Sequence, residues 1–229
     1  MALDLSRLAM LEARLAGLLP AGLAVACTDP GDEVPRDEVF DTELAAMARA
    51  VPRRRREFLA GRKAARRAMA GLGLRPAPVM MAPDRVPVWP EGLIGSISHC
   101  DDACAAIVGR AKACRSVAVD LEPDLALPAE LEPVVCLPQE QAWLASLPKD
   151  ARGRAARLIF SVKECAYKLQ YPVTKEILDF TDLRVEVDVD TARFVAQFRR
   201  DLPEFGDGQP LTGQFGVEGG TLFCVMCLM

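Results

Sequence analysis

The first regular pattern in the chain is a leucine stripe. Leu5, Leu8, Leu11 and Leu15 recur at helical spacing, so residues 3–19 read as an amphipathic helix that Pro20 stops. AGLAVACT reads as a short apolar strand, and an acidic loop with Pro and Gly carries the chain to residue 35. A long helical stretch follows over about 38–72, with Phe58, Ala65, Met69 and Leu72 on one face and Gly71 and Gly73 at its end. The segment 75–92 is too rich in proline for a regular element. LIGSISH, ACAAIVGR and SVAVDLEP then read as neighbouring strands. Helices are expected over 139–147 and 151–171, the second stopped by Pro172. From Leu183 to Val189 apolar and charged residues alternate as in a half-buried strand, and Phe194, Ala196 and Phe198 continue the pattern after a turn. QFGVEGGTLFCVMCLM reads as a hairpin turning at Gly219–Gly220. No repeat, low-complexity tract or linker interrupts this order. The mixture predicts an α+β fold with largely antiparallel sheet.

At 229 residues, with 51% hydrophobic and 26% charged residues, the chain has room for one large core or two modest ones. The net charge of −4 hides an uneven distribution. Residues 53–67 (RRRREFLAGRKAARR) carry a local +7, which leaves about −11 for the remainder. A basic island on an acidic body suits a compact polyanion such as a nucleotide better than a nucleic-acid track, so no nucleic-acid partner is expected. Arg55, Arg62 and Arg66 share a helix face and could converge on one ligand; a solvated basic face is the plainer alternative. The eight cysteines are scattered, and Cys224 and Cys227 would point to opposite faces of a strand. A reducing compartment follows. LAGLLPAGLAVAC faintly resembles an export signal ending at Cys27, but Asp4 and Glu12 precede it and Pro20 interrupts it. No run approaches the ~18 apolar residues of a membrane span. A cytoplasmic protein without a membrane partner is expected.

Three carboxylates change the picture most. In an extended SVAVDLEPD, Asp120 and Glu122 point the same way and Leu121 the other. Like charges held that close call for a cation between them, and a hard metal ion is the usual answer. Glu164 follows 42 residues after Glu122, in the helical FSVKECAYK, where Lys163 and Lys168 can face a bound anion. Carboxylates for Mg²⁺ with lysines beside them are the parts of phosphoryl transfer. His99, the only histidine, follows Ser98 in GSISHC 21 residues before Asp120; imidazolium and hydroxyl suit a terminal phosphate. Each motif also has a structural reading, as surface alternation, an i,i+4 helix pair or an incidental histidine.

The ordered set GSISHC, AVDLEP and FSVKECAYK resembles the 4′-phosphopantetheinyl transferase superfamily, in particular the monomeric branch containing the enterobactin synthetase component D type. The likeness extends upstream to RRREFLAGRKAAR and PVWPEGLIGSISHC and downstream to YPVTKEILDF, roughly residues 50–180. It implies two similar, pseudo-twofold-related α/β lobes with the active site in the cleft between them. Residues 1–115 would form the N-terminal lobe and 116–229 the C-terminal lobe. It implies a monomer that moves the phosphopantetheine arm of coenzyme A onto a serine of an acyl, aryl or peptidyl carrier protein, releasing adenosine 3′,5′-bisphosphate. Siderophore, polyketide or nonribosomal peptide pathways are the setting it suggests.

By the same resemblance Asp120, Glu122 and Glu164 ligate Mg²⁺, or Mn²⁺ in its place, on the coenzyme A pyrophosphate. Glu164, or a water it orients, takes the serine proton, while Lys163 and Lys168 neutralise phosphate oxygens. Ser98 and His99 hold the 3′-phosphate, with Arg54 and Arg62 near it. Arg85 is the one basic residue just upstream of Trp89–Pro90, where the family grips the nucleotide. Ala118–Val119 stands where the family has Gly-Ile or Gly-Val, and Leu169–Gln170 replaces its aromatic pairing. The residues leave two other functions open: a Mg²⁺-dependent hydrolase of nucleotide pyrophosphates, and a non-catalytic module that binds carrier proteins or RNA.

Overall fold

A computed structural model describes residues 2–205 and 209–229, with side chains from residue 6 onward. The first helix, α1 (Ala2–Ala16), buries Leu8, Leu11 and Leu15; the side chain of Leu5 lies outside the described set. Strand β1 (Leu23–Thr28) follows, with Cys27 buried inside it. The helix expected over 38–72 is two helices, α2 (Asp41–Ala46) and α3 (Pro52–Gly71). Pro52 is the cause: it has no N–H to give and forces Val51 into an extended conformation (φ −61°, ψ 152°), so it can open a helix but not continue one.

The proline-rich segment forms only a pair of two-residue strands, β2 (Met80–Met81) and β3 (Pro87–Val88). Strands β4 (Leu93–His99) and β5 (Cys104–Arg110) complete an antiparallel sheet of order β1-β5-β4. Helix α3 crosses that sheet with Ala64, Ala65, Ala68 and Met69 against Ala26, Ala106 and Val108. Gly61 permits the close approach, since a Cβ there would stand 2.8 Å from Ile97.

The second sheet begins with β6 (Ser116–Pro123). Three helices follow, α4 (Glu132–Val135), α5 (Pro138–Ser146) and α6 (Lys149–Thr174). Strands β7 (Leu183–Asp188), β8 (Arg193–Phe198), β9 (Pro210–Glu218) and β10 (Thr221–Leu228) pair antiparallel in the order β6-β10-β9-β8-β7. Gly219 and Gly220 turn the last hairpin, both at positive φ (57° and 81°), as a two-residue turn requires. Pro172 does not stop α6, which runs on to Thr174. So near the end proline removes little, and Lys175 closes the helix in a left-handed conformation with its N–H on the Tyr171 carbonyl.

Both faces of the second sheet are covered. Ala118, Cys224 and Met226 face α6, whereas Val117, Val119, Leu121, Phe223 and Val225 face α1 and the first sheet. The two sheets meet along β4 and β6, which run parallel without a shared backbone ladder. The edge N–H groups of Val119 and Leu121 donate instead to the hydroxyls of Ser96 (3.2 Å) and Ser98 (3.1 Å). Cys224 and Cys227 fall on opposite faces of β10, and all eight cysteines are free thiols. Among the described residues no helix is long and apolar enough to cross a membrane.

The two long helices, α3 and α6, are pinned in the same way. For the first, Glu43 on α2 is buried and accepts from Arg66 on α3 (2.7 and 2.9 Å) and from the Val79 N–H (3.1 Å). For the second, Glu140 on α5 is buried and accepts from Lys163 on α6 (2.8 Å), the Val185 N–H (2.7 Å) and the Leu137 N–H (2.7 Å). Lys163 completes its set on the carbonyls of Val135 (2.7 Å) and Phe180 (3.0 Å). Removing one partner of such a pair leaves a buried charge alone, a loss of about 3–5 kcal/mol. Lys163→Met is therefore expected to lower the unfolding free energy by about that amount, and adding Glu140→Leu to restore much of it. Urea titration of both variants checks this; an unchanged midpoint in Lys163→Met would contradict it.

Candidate active site

Between the sheets lies a cleft of about 500 Å³, floored by β4 and β6 and walled by α3 and α6. Its acidic end is built from two facing ladders. On β6, Asp120 and Glu122 share the face toward α6 with Ala118. On α6, Arg157, Ser161, Glu164 and Lys168 recur at intervals of four, three and four residues, a single helical stripe. Arg157 Nη1 donates to Glu122 Oε2 (2.7 Å), and the Ser161 hydroxyl donates to Asp120 Oδ2 (2.7 Å). Lys168 Nζ donates to Asp120 Oδ1 (2.5 Å) and to the Ser98 hydroxyl (3.0 Å), which itself donates to Asp120 Oδ1 (3.1 Å). Asp120, 3% exposed, is thus held from β4 and from two turns of α6.

The electrostatics follow from crowding. Burial and then the charge of Asp120 push Glu122 up to about 7, against the pull of Arg157. The same two causes raise Glu164, with Lys168 opposing. Crowded carboxylates of this kind, two of them raised by burial and by a neighbouring negative charge, form the donor set that a hard divalent ion relieves. Among the described residues no three His, Cys, Asp or Glu side chains are gathered so that they could hold a metal ion as they stand. The three carboxylates still fit such an ion by donor chemistry and by their surplus charge.

Also lining the cleft, Arg54 Nη1 donates to His99 Nε2 (3.0 Å), and Glu57 stands 3.9 Å from the same ring nitrogen. Burial lowers the His99 pKa, opposed by Glu57 and helped by Arg54, and because a guanidinium can only donate, Nε2 is the acceptor in its bond with Arg54. The β2–β3 turn forms a rim. Arg85 sits there at φ 69°, and Asp84 beside it accepts from Tyr171 of α6 (2.9 Å), strapping the turn to that helix.

Three expectations need correction. Lys163 does not face the cleft: it is the buried partner of Glu140, because five residues along a helix turn it well away from Lys168. Ser98 lines the cleft beside His99, but its hydroxyl is committed to Asp120 and Lys168 while the His99 ring meets Arg54. Arg55, Arg62 and Arg66 do not converge. Arg55 is exposed, Arg66 is spent on Glu43, and Arg62 lines the cleft with Nε on the Val79 carbonyl (2.8 Å) and Nη2 on that of Met80 (3.3 Å). Burial pushes Arg62 down to about 10. Asp120, Glu122, Glu164, Lys168, Arg54, His99 and Arg85 all line the same cleft. Arg157 and Ser161 escaped the sequence reading, although their helical spacing from Glu164 could have exposed them.

Family comparisons agree with this layout. The 4′-phosphopantetheinyl transferase N-terminal domain matches residues 42–109, and the 4′-phosphopantetheinyl transferase superfamily matches residues 116–215. The 4′-phosphopantetheinyl transferase PptT of Mycobacterium tuberculosis is 35% identical over 208 residues, 88% of this chain and 89% of its own. The 4′-phosphopantetheinyl transferase Svp of Streptomyces mobaraensis is 39% identical over 202 residues, 87% of this chain and 81% of its own. The enterobactin synthase component D of Salmonella typhimurium is 41% identical over 70 residues, 31% of this chain and 28% of its own. With two relatives matched along most of its length and both halves recognised in order, the chain belongs to the 4′-phosphopantetheinyl transferase superfamily.

Proposed function

We propose that this enzyme transfers the 4′-phosphopantetheine arm of coenzyme A to a serine of an acyl, aryl or peptidyl carrier protein, releasing adenosine 3′,5′-bisphosphate. The observation that carries the proposal is a single cleft lined both by three carboxylates, Asp120, Glu122 and Glu164, and by the Arg54–His99 pair. A molecule bearing a diphosphate and a separate phosphate would use both sets. Cytoplasmic action as a monomer completes the reading.

Arg54, His99 and Arg85 take the 3′-phosphate, as charged and ring N–H donors facing one dianion. Arg62 supports them from behind by holding β2, the strand that leads into the Arg85 turn. Asp120, Glu122 and Glu164 hold Mg²⁺, or Mn²⁺ in its place, which supplies Lewis-acid polarisation of the phosphoryl oxygens when bound. Glu164 accepts the proton of the incoming serine hydroxyl, directly or through a water. Its raised pKa suits that task, since a base poised nearer neutrality takes a proton more readily. Lys168, fixed by Asp120 and Ser98, neutralises charge on the departing bisphosphate. The pyrophosphate hydrolase uses the same groups with water as nucleophile, and product analysis with an apo-carrier protein separates the two.

Three outcomes are expected. Glu164→Gln should keep the melting transition yet lose transfer by about 10²–10⁴-fold, and Asp120→Ala should lose transfer and also lower the melting transition, since it leaves Lys168 without its carboxylate; transfer is read by mass spectrometry of an apo-carrier protein with coenzyme A and Mg²⁺. Full conversion by either variant would remove that residue from the mechanism. His99→Ala should weaken coenzyme A binding about tenfold while leaving 3′-dephospho-coenzyme A unaffected, as calorimetry would report. Equal losses for both ligands would contradict the 3′-phosphate assignment. Because Glu122 must ionise to ligate a metal, metal-dependent coenzyme A binding should strengthen from about pH 6 to about pH 8 with proton release. A flat profile over that range would take Glu122 out of the ligand set.

A further inference from the structure

Arg157 has no part in the proposed chemistry, yet it is placed as carefully as any residue that has. Its side chain is only 15% exposed, against 46% for Arg152 and 62% for Arg154 on the same helix. All three guanidinium nitrogens are used. Nη1 donates to Glu122 Oε2 (2.7 Å), Nη2 to the Ala126 carbonyl (3.2 Å), and Nε to the Leu125 carbonyl (3.4 Å). The segment just beyond β6 is drawn onto α6 at the same place. The Leu127 N–H donates to the Gly153 carbonyl (2.9 Å), and a Cβ on Gly153 would stand 2.6 Å from that of Ala126.

Glu122 needs such a clasp more than Asp120 does. Both acids lie in the part of β6 paired with β10, but Asp120 is held by three side chains, Ser98, Ser161 and Lys168. Glu122 is next to Pro123, the last residue of the strand, and Arg157 is its one hydrogen-bonded side-chain partner among the described residues. A carboxylate near a strand end, on a flexible stem, has several rotamers to choose from. A planar fork tied to two backbone carbonyls leaves it one.

We infer that Arg157 is a positioning residue, which fixes the carboxylate of Glu122 against the backbone of residues 125–126 so that it stands ready for the divalent ion. The inference rests on the proposed ligand set and adds to it. Partners of metal-ligating groups typically carry about 10–100-fold in metal affinity. A plain structural salt bridge would instead show itself in stability, and a pure charge effect would have the opposite sign, because removing a cation strengthens binding of another.

The test reads metal-dependent coenzyme A binding by calorimetry, with no turnover involved. Arg157→Met should raise the Mg²⁺ concentration needed for half-maximal binding about tenfold or more, with the melting temperature little changed. Arg157→Lys keeps the charge but loses the fork, and should raise it about threefold. In a Glu122→Gln background the Arg157→Met change should add nothing further, since its effect passes through that carboxylate. A Mg²⁺ requirement that stays the same or falls in Arg157→Met, a Lys variant equal to the parent, or additive losses in the double variant would each overturn the inference. If Arg157→Met does not fold, the Lys variant and its combination with Glu122→Gln decide the matter alone. A parent protein that binds coenzyme A without regard to Mg²⁺ would instead sink the metal reading itself.

Discussion

A buried carboxylate held from three directions is what the rest of this structure depends on. Asp120 lies on the strand at the seam between two sheets, almost without exposure. Ser98 reaches it from the first sheet, and Ser161 and Lys168 from the long helix of the second. An ionised group in that position costs several kcal/mol unless every oxygen is answered. The groups that answer it belong to elements that must already be correctly docked. The site and the packing of the two sheets are therefore one arrangement. Ser96 and Ser98 enforce it further by capping the free N–H groups of β6, a use of side chains where a continuous sheet would have used backbone.

Around that centre the charged residues divide into scaffold and site. Glu43 with Arg66 and Glu140 with Lys163 pin the two long helices in the same manner. In each case an acid on a short helix accepts from a base on the long helix and from a backbone N–H beyond it. This is the clearest physical likeness between the two halves of the structure, whose sheets otherwise differ in strand number. Much of the arginine-rich run is likewise spent on partners within the protein, several of them at its surface. Arg67 ties α3 to Glu12 and the Cys27 carbonyl, Arg53 reaches Asp101, and Arg62 holds the β2 carbonyls. Of that run, Arg54 and Arg62 line the cleft, and Arg54 shares its charge with the lone histidine.

The sequence made some of this legible and hid the rest for physical reasons. Period two along SVAVDLEP placed Asp120 and Glu122 on one face correctly, because a strand alternates whatever it packs against. The same alternation gives Ser98 and His99 different partners, Asp120 and Lys168 for the hydroxyl and Arg54 for the ring, although both line the cleft. Pro52 and Pro172 look alike in the sequence and act differently. One opens a helix and the other sits harmlessly in a last turn, since the damage depends on how many helical bonds remain to be lost.

Local periodicity and residue chemistry, then, settled which side chains share a face in two elements, the acids of β6 and the buried leucines of α1. Those relations are built into backbone geometry and hold before any packing occurs. Which faces meet was decided only in three dimensions. That Lys168 answers Asp120 while Lys163 answers Glu140, and that Arg157 clasps Glu122 from 35 residues away, depends on how α6 lies across the sheet. A buried charge is assigned its partner by the docking of whole elements, and no short window of residues carries that information.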